Sequence, residues 1–224
     1  MNAKTPSAFE KYIELGFLWI RTHQERFWTV VGVTILTILF GFFAIQQHQR
    51  KEDDAWTQLG APQGSMMQNQ FAEAKKSLDD WQNRFGSSNA ATYAKFLRAD
   101  LLSKTTDHAA AAQLYDELAR TGQPATLVQP LALSAQITEE EMAGKPAQAR
   151  ASAQRFLERY PDHFFAASAF LAQARLAEQS GDKAEAARLY ERFVILYSQS
   201  PWTGFVREHL KTLAPAPTSL PISK

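Results

Sequence analysis

The chain contains no cysteine. Disulfide scaffolds, thiolate metal sites and cysteine nucleophiles are therefore excluded. Charge of one sign is also missing, because 24 basic residues face 23 acidic ones. Lys4, Lys11, Arg21 and Arg26 stand with Glu10, Glu14 and Glu25 in the first 45 residues, so the remainder is neutral. Without a basic stripe to neutralise phosphates, no nucleic-acid partner is expected. Glycine-rich phosphate loops, nucleophile elbows, EF-hand loops and H-E-x-x-H pairs are absent. The five histidines, His23, His48, His108, His163 and His209, are scattered along the chain. Glu139-Glu140-Glu141 is the densest carboxylate run, but successive helical residues point about 100° apart. It reads as a solvated helix end, as do Asp79-Asp80 and Glu52-Asp53-Asp54. The expectation is a chain with no catalytic residue, metal, cofactor or small-molecule substrate.

Phe27 to Ile45, FWTVVGVTILTILFGFFAI, runs nineteen residues without a charge. As a helix it reaches about 28 Å, close to the hydrocarbon thickness of a bilayer. Twelve of the nineteen are Leu, Ile, Phe or Val, and each favours insertion by about 0.3–0.6 kcal/mol near the centre. A buried core helix and a cleaved signal peptide compete with this reading. Soluble cores rarely use so long a run, and no small-x-small cleavage pattern follows it. Residues 27–45 are therefore read as a retained span held in membrane lipid. Four basic residues precede it and Arg50-Lys51 follow, a bias that places the N-terminus in the cytoplasm. Thr34, Thr37, Gly41 and Ala44 share one helix face, a small-residue stripe on which another membrane helix could pack. Residues 8–25 have the charge pattern of an amphipathic helix lying at the interface.

Beyond the span, apolar residues recur at helical spacing and no strand-like alternation is found. Four segments align by their alanines: FAEAKKSLDDWQNRF, HAAAAQLYDELARTG, PAQARASAQRFLERY and KAEAARLYERFVILY. Ala74, Ala111, Ala149 and Ala186 sit 37, 38 and 37 residues apart, the constant interval of a structural repeat. A partner helix precedes each of the last three: NAATYAKFLRADLLSKTTD, VQPLALSAQITEEEMAGK and FAASAFLAQARLAEQSGD. Gly144 and Gly181 occupy the turn inside two hairpins, where a left-handed backbone closes the first helix. The corresponding turn of the first complete hairpin is Thr105-Thr106-Asp107, without glycine. Pro161 and Pro201 stop the second helices of their units. By helical phase, Tyr93, Phe96, Asp100, Ser134, Thr138, Leu171 and Arg175 look into the concave groove that such a stack makes. The competing reading for Tyr93 and Phe96 is packing between helices.

The pattern resembles the tetratricopeptide repeat, most closely in Gly181-Asp182 through Tyr190 and Phe193, and in Gly144 through Ala149, Ala153, Phe156 and Pro161. Domains of that family that clamp a terminal carboxylate use Lys and Asn in the groove. Aromatic, aliphatic and acidic residues stand here instead, so a peptide with apolar anchors fits better. The expected class is all-α: one N-terminal transmembrane helix followed by an α-solenoid of tetratricopeptide-like helical hairpins. Its divisions are a cytoplasmic segment (1–26), the span (27–45), a helical extension and linker (46–65), the repeats (66–213) and a disordered Pro/Ser-rich tail (214–224). The whole layout is similar to the ancillary SecYEG translocon subunit family (YfgM-type), carried by FEKYIELGFLWIRTHQERFWTVVGVTI and NAATYAKFLRADLLSKTTDHAAAAQLYDELA. The resemblance implies a scaffold of the bacterial inner membrane, with periplasmic repeats linking the SecYEG-type translocon to periplasmic chaperones. A structural organiser joining the membrane to a cell-envelope or division complex is the alternative.

Overall fold

The computed structural model describes Tyr12, Gly16, Trp19 and residues 21–213. The amphipathic pattern over 8–25 lies largely outside the described residues, and the tail 214–224 lies wholly outside them. Every regular element among the described residues is a helix. In chain order they are α1 (Gln24–Gln58), α2 (Gly60–Met67), α3 (Phe71–Phe85), α4 (Ala91–Lys104) and α5 (His108–Thr121). They continue as α6 (Ala125–Met142), α7 (Pro146–Arg159), α8 (Ala166–Gln179), α9 (Lys183–Leu196) and α10 (Thr203–Leu213). The chain divides into two compact units at Asp54/Ala55.

In the first unit, α1 is long and apolar enough to cross a membrane, and none of its most apolar window is buried. Leu36, Phe40 and Phe43 all face outward. A core helix would hide these side chains, so the soluble-core reading of 27–45 does not hold. The threonine hydroxyls donate back to their own helix, Thr34 to the Val30 carbonyl at 2.8 Å and Thr37 to the Val33 carbonyl at 2.9 Å. Their hydrogen-bonding demand is thus met inside the helix. Next to them Gly41 has open space where a side chain would stand.

The second unit is a stack in which each helix packs on the next, from α2 to α10. Its repeat is visible first in the backbone. Asn69, Thr106, Gly144 and Gly181 all have positive φ, between 59° and 85°. Each sits in a turn closed by a bond spanning six residues: Gln70 N–H to Ser65, Asp107 to Leu102, Lys145 to Glu140 and Asp182 to Ala177, at 2.8–3.1 Å. This is the left-handed helix stop expected at the two glycines, and it holds in all four copies at 37-, 38- and 37-residue intervals. In two copies the next residue caps the following helix. Asp107 accepts from the Ala110 N–H at 3.2 Å, and Asp182 from the Glu185 N–H at 3.0 Å.

The aligned alanines are where the helices come closest. Ala74, Ala111, Ala149 and Ala186 are each 0% exposed. Seven residues on, two helical turns along the same face, Trp81, Leu118, Phe156 and Phe193 are buried too. Small residues admit the neighbouring backbone and large ones fill the space beyond it. The core is accordingly three linked clusters strung along the stack, with no single centre. The first begins at Ala55: that residue is fully buried, Leu59 is nearly so, and the Trp81 indole donates to the Ala55 carbonyl at 2.8 Å.

One junction breaks the pattern. α6 is 18 residues long where α4 and α8 have 14. It begins at Ala125, ahead of the expected start near Val128, which puts Pro130 inside the helix. Gly122 makes this possible, because a Cβ there would meet Val128 Cγ1 at 2.2 Å. The Gln129 amide then donates to the Arg120 and Gly122 carbonyls at 3.3 and 3.4 Å, tying the end of α5 to the flank of α6. The extra turn carries Leu127 into the open.

Candidate protein-binding groove

The seven groove candidates fall into two cavities that share α6 alone. The first, of about 630 Å³, is lined by Trp56 and by residues of α2, α4 and α6, including Tyr93, Phe96 and Asp100. The second, of about 230 Å³, lies among α6, α8, α9 and α10 and takes in Ser134, Thr138, Leu171 and Arg175. Leu127, Val128 and Leu131 on α6, with Pro124 just before it, line the first, and Ser134, Ile137 and Thr138 line the second. Spacings of three and four residues make this one continuous stripe of the helix.

The candidates differ in what they touch. Tyr93 is 36% exposed and rests on the Trp56 ring, centroids 5.9 Å apart. Phe96 lies deeper, edge-on to Tyr115 at 5.8 Å and packed against a core cluster. Both line the cavity, Tyr93 as the more open of the two and Phe96 with its ring against the core. Asp100 accepts a hydrogen bond from the Tyr115 hydroxyl. Burial raises its pKa above the ordinary carboxylate value, while the Tyr115 bond and the Lys104 charge work against that rise. Arg175 is clasped by Glu141 through two bonds of 2.8 and 2.6 Å. That fork holds the Glu141 carboxyl below its usual range and raises the guanidinium. Gln179 adds a third donor to Glu141 at 3.0 Å.

The acidic run is not a solvated helix end. Glu139 and Glu140 are only 7% and 6% exposed. Glu139 accepts from Ser103 at 2.8 Å and pairs with His108 Nδ1 at 2.8 Å, and Glu140 accepts from Gln136 at 2.7 Å. The 100° step between neighbours sends each carboxylate to a different partner, and two of the three face inward. Among the described residues no group of three or more His, Asp or Glu side chains is placed to hold a metal ion.

Trp56, Leu127, Trp202 and Phe205, all well exposed in the cavities, were not singled out from the sequence. Leu127 rides on the extra turn of α6, ahead of the expected helix. Trp202 immediately precedes α10 and Phe205 lies on it, and no repeat interval specifies the phase of that helix against α8. Phe205 lies nearly parallel to His209, whose Nε2 reaches Glu178 at 2.8 Å. Tyr190 donates to the same Glu178 oxygen at 3.1 Å, and burial beside that carboxylate pushes the phenol up to about 12. These contacts seat α10 on α8 and α9.

Residues 137–163 and 168–200 match the family model of the tetratricopeptide repeat. The likeness is to two successive units. They contain the turns that hold Gly144 and Gly181; the first match takes in the end of α6 with α7, and the second nearly all of α8 with α9. No curated protein matches the chain. The second unit is a solenoid of tetratricopeptide-like hairpins, an architecture whose concave face serves as a protein-binding surface.

Proposed function

We propose that this chain is a membrane-anchored adaptor without catalytic activity, which holds a partner protein in the groove of its tetratricopeptide-like stack. The observation that carries the reading is the pair of cavities along α6, where large apolar side chains face outward in a structure that buries its aligned alanines completely. Exposed apolar surface gathered in a concavity is the mark of a binding site. At a finer level, the function is that of an ancillary translocon subunit, linking a secretion channel of the bacterial inner membrane to periplasmic chaperones. The layout of short N-terminal segment, single span and repeats supports this, as does the resemblance of residues 9–35 and 89–119 to that family. The excess of basic residues before the span supports a cytoplasmic N-terminus and periplasmic repeats.

Affinity capture of the full chain in mild detergent tests the partner. Translocon components and chaperones are the expected company, whereas division or cell-wall proteins would favour an envelope organiser. Protease added to intact spheroplasts tests the topology, since periplasmic repeats are cut. Survival of the repeats beside a degraded periplasmic control reverses the orientation.

A further inference from the structure

We infer that the groove takes an extended, uncharged stretch of another polypeptide that offers apolar side chains. The inference rests on the adaptor reading and specifies what the adaptor grips. Charge points to it first. The charged side chains lining the two cavities are Asp100, Lys104 and Arg175. Asp100 is bonded to Tyr115 and offset by Lys104, and Arg175 is forked onto Glu141. A basic occupant would be stripped of water with no free carboxylate among these to meet it, and an acidic one would find only Lys104, which stays exposed to solvent. Apolar surface is the second sign: Leu127 is 60% exposed and Phe205 is 67% exposed, with Trp56 and Trp202 open beside them. Met66 and Met67 also line the first cavity, and methionine adapts to anchors of different shape.

Backbone conformation follows from the remaining polar groups. Gln63, Thr92 and Gln123 line the first cavity, and Ser134, Thr138 and Ser168 the second. These are uncharged donors and acceptors. An extended backbone needs such partners for its own N–H and C=O groups, whereas a helix has already paired them internally. Along α6, Leu127 and Thr138 are separated by about 16 Å. An extended chain covers that in about five residues at roughly 3.3 Å each. Side chains on one face of such a chain alternate, so its two anchors stand four or six residues apart.

The test uses the full chain in lipid nanodiscs, with empty nanodiscs as the control. Fluorescent twelve-residue peptides with capped ends are built from alternating Val and Thr, with two Phe anchors six residues apart. Matched versions carry Lys or Glu beside the anchors, and a further version places the anchors in a helix-favouring sequence. Anisotropy is expected to show binding of the neutral extended peptide and at least tenfold weaker binding of the others. Leu127→Glu and Phe205→Glu should each weaken it at least tenfold, while Ile195→Glu, exposed outside both cavities, leaves it unchanged. Equal binding of charged peptides, tighter binding of the helical one, or indifference to both groove variants would overturn the inference. So would a photo-crosslinker at position 127 that couples only to a second copy or to residues 214–224. If partner capture survives while no peptide binds, the adaptor reading stands and this one falls. If the peptide binds but no partner is captured, the adaptor reading fails alone.

Discussion

Thr106 and Gly144 occupy the same place in successive hairpins, and both hold a left-handed backbone, with φ of 64° and 70°. The turn imposes the conformation whichever residue is present, because the six-residue bonds of Asp107 to Leu102 and of Lys145 to Glu140 are alike at 2.9 Å. A β-branched residue adopts it against its own sterics, at roughly 1–2 kcal/mol.

Thr106→Gly is therefore expected to stabilise the stack by roughly 0.5–1 kcal/mol, after subtracting the extra freedom glycine has when unfolded. Gly144→Thr should destabilise it by about 1 kcal/mol or more. A Cβ at Gly144 would meet nothing within 4 Å, so the effect is one of backbone alone. Chemical-denaturation midpoints that fail to move in opposite directions would refute the shared-turn account.

Tyr93 and Phe96 should separate on truncation. Phe96→Ala removes a ring packed against the core and should destabilise by about 3 kcal/mol, at the lower end for buried aromatics. Tyr93→Ala removes a half-open ring and should cost below about 1 kcal/mol, while weakening partner capture. Thermal unfolding followed by circular dichroism, with capture assayed in parallel, distinguishes them. Equal destabilisation would place both in the core.

Two acids should give opposite pH trends. The folded pKa of Asp100 is raised, so its stabilising contribution is complete below 3.8 and is lost as pH rises through the folded value. Relative to Asp100→Asn, the wild type should gain stability as pH falls from neutrality to about 4. The folded pKa of Glu141 is lowered, so its contribution is present above 4.5 and is lost as pH falls through the folded value. Relative to Glu141→Gln, the wild type should lead by under about 1 kcal/mol at neutrality, because Arg175 is half exposed, and lose that lead in acid. Urea titrations from pH 7 to 3 follow both, and trends of the same sign would contradict the assignment.

The anchor can be tested at its centre. Leu36→Arg with Phe40→Arg should raise the insertion free energy by roughly 6 kcal/mol. The double variant is expected to leave the carbonate-resistant membrane fraction. Retention there would mean that some other segment holds the chain.

Much of this was legible in local pattern. The alanine interval, the amphipathic helices, the apolar run and the turn glycines are short-range signals, fixed by helical period and backbone sterics within a few residues. They located the hairpins and even the turn at Thr106, which lacks the glycine. Other features depend on partners far along the chain. Ala55 is buried because Trp81, twenty-six residues on, packs and bonds there. Glu139 turns inward because His108, thirty-one residues before it, receives it. Leu127 opens into the groove because Gly122 lets Val128 approach closely.

The amino-acid order by itself determined an all-α fold class with one long apolar segment and a stack built on a 37- to 38-residue interval, since those properties arise within single helices and turns. Tertiary structure alone decided that the seven groove candidates split into two cavities along α6, that two carboxylates of an acidic run are buried, and that α10 completes the second cavity. Those outcomes depend on how helix faces meet across the stack, and contacts between distant residues leave no periodic trace in the sequence.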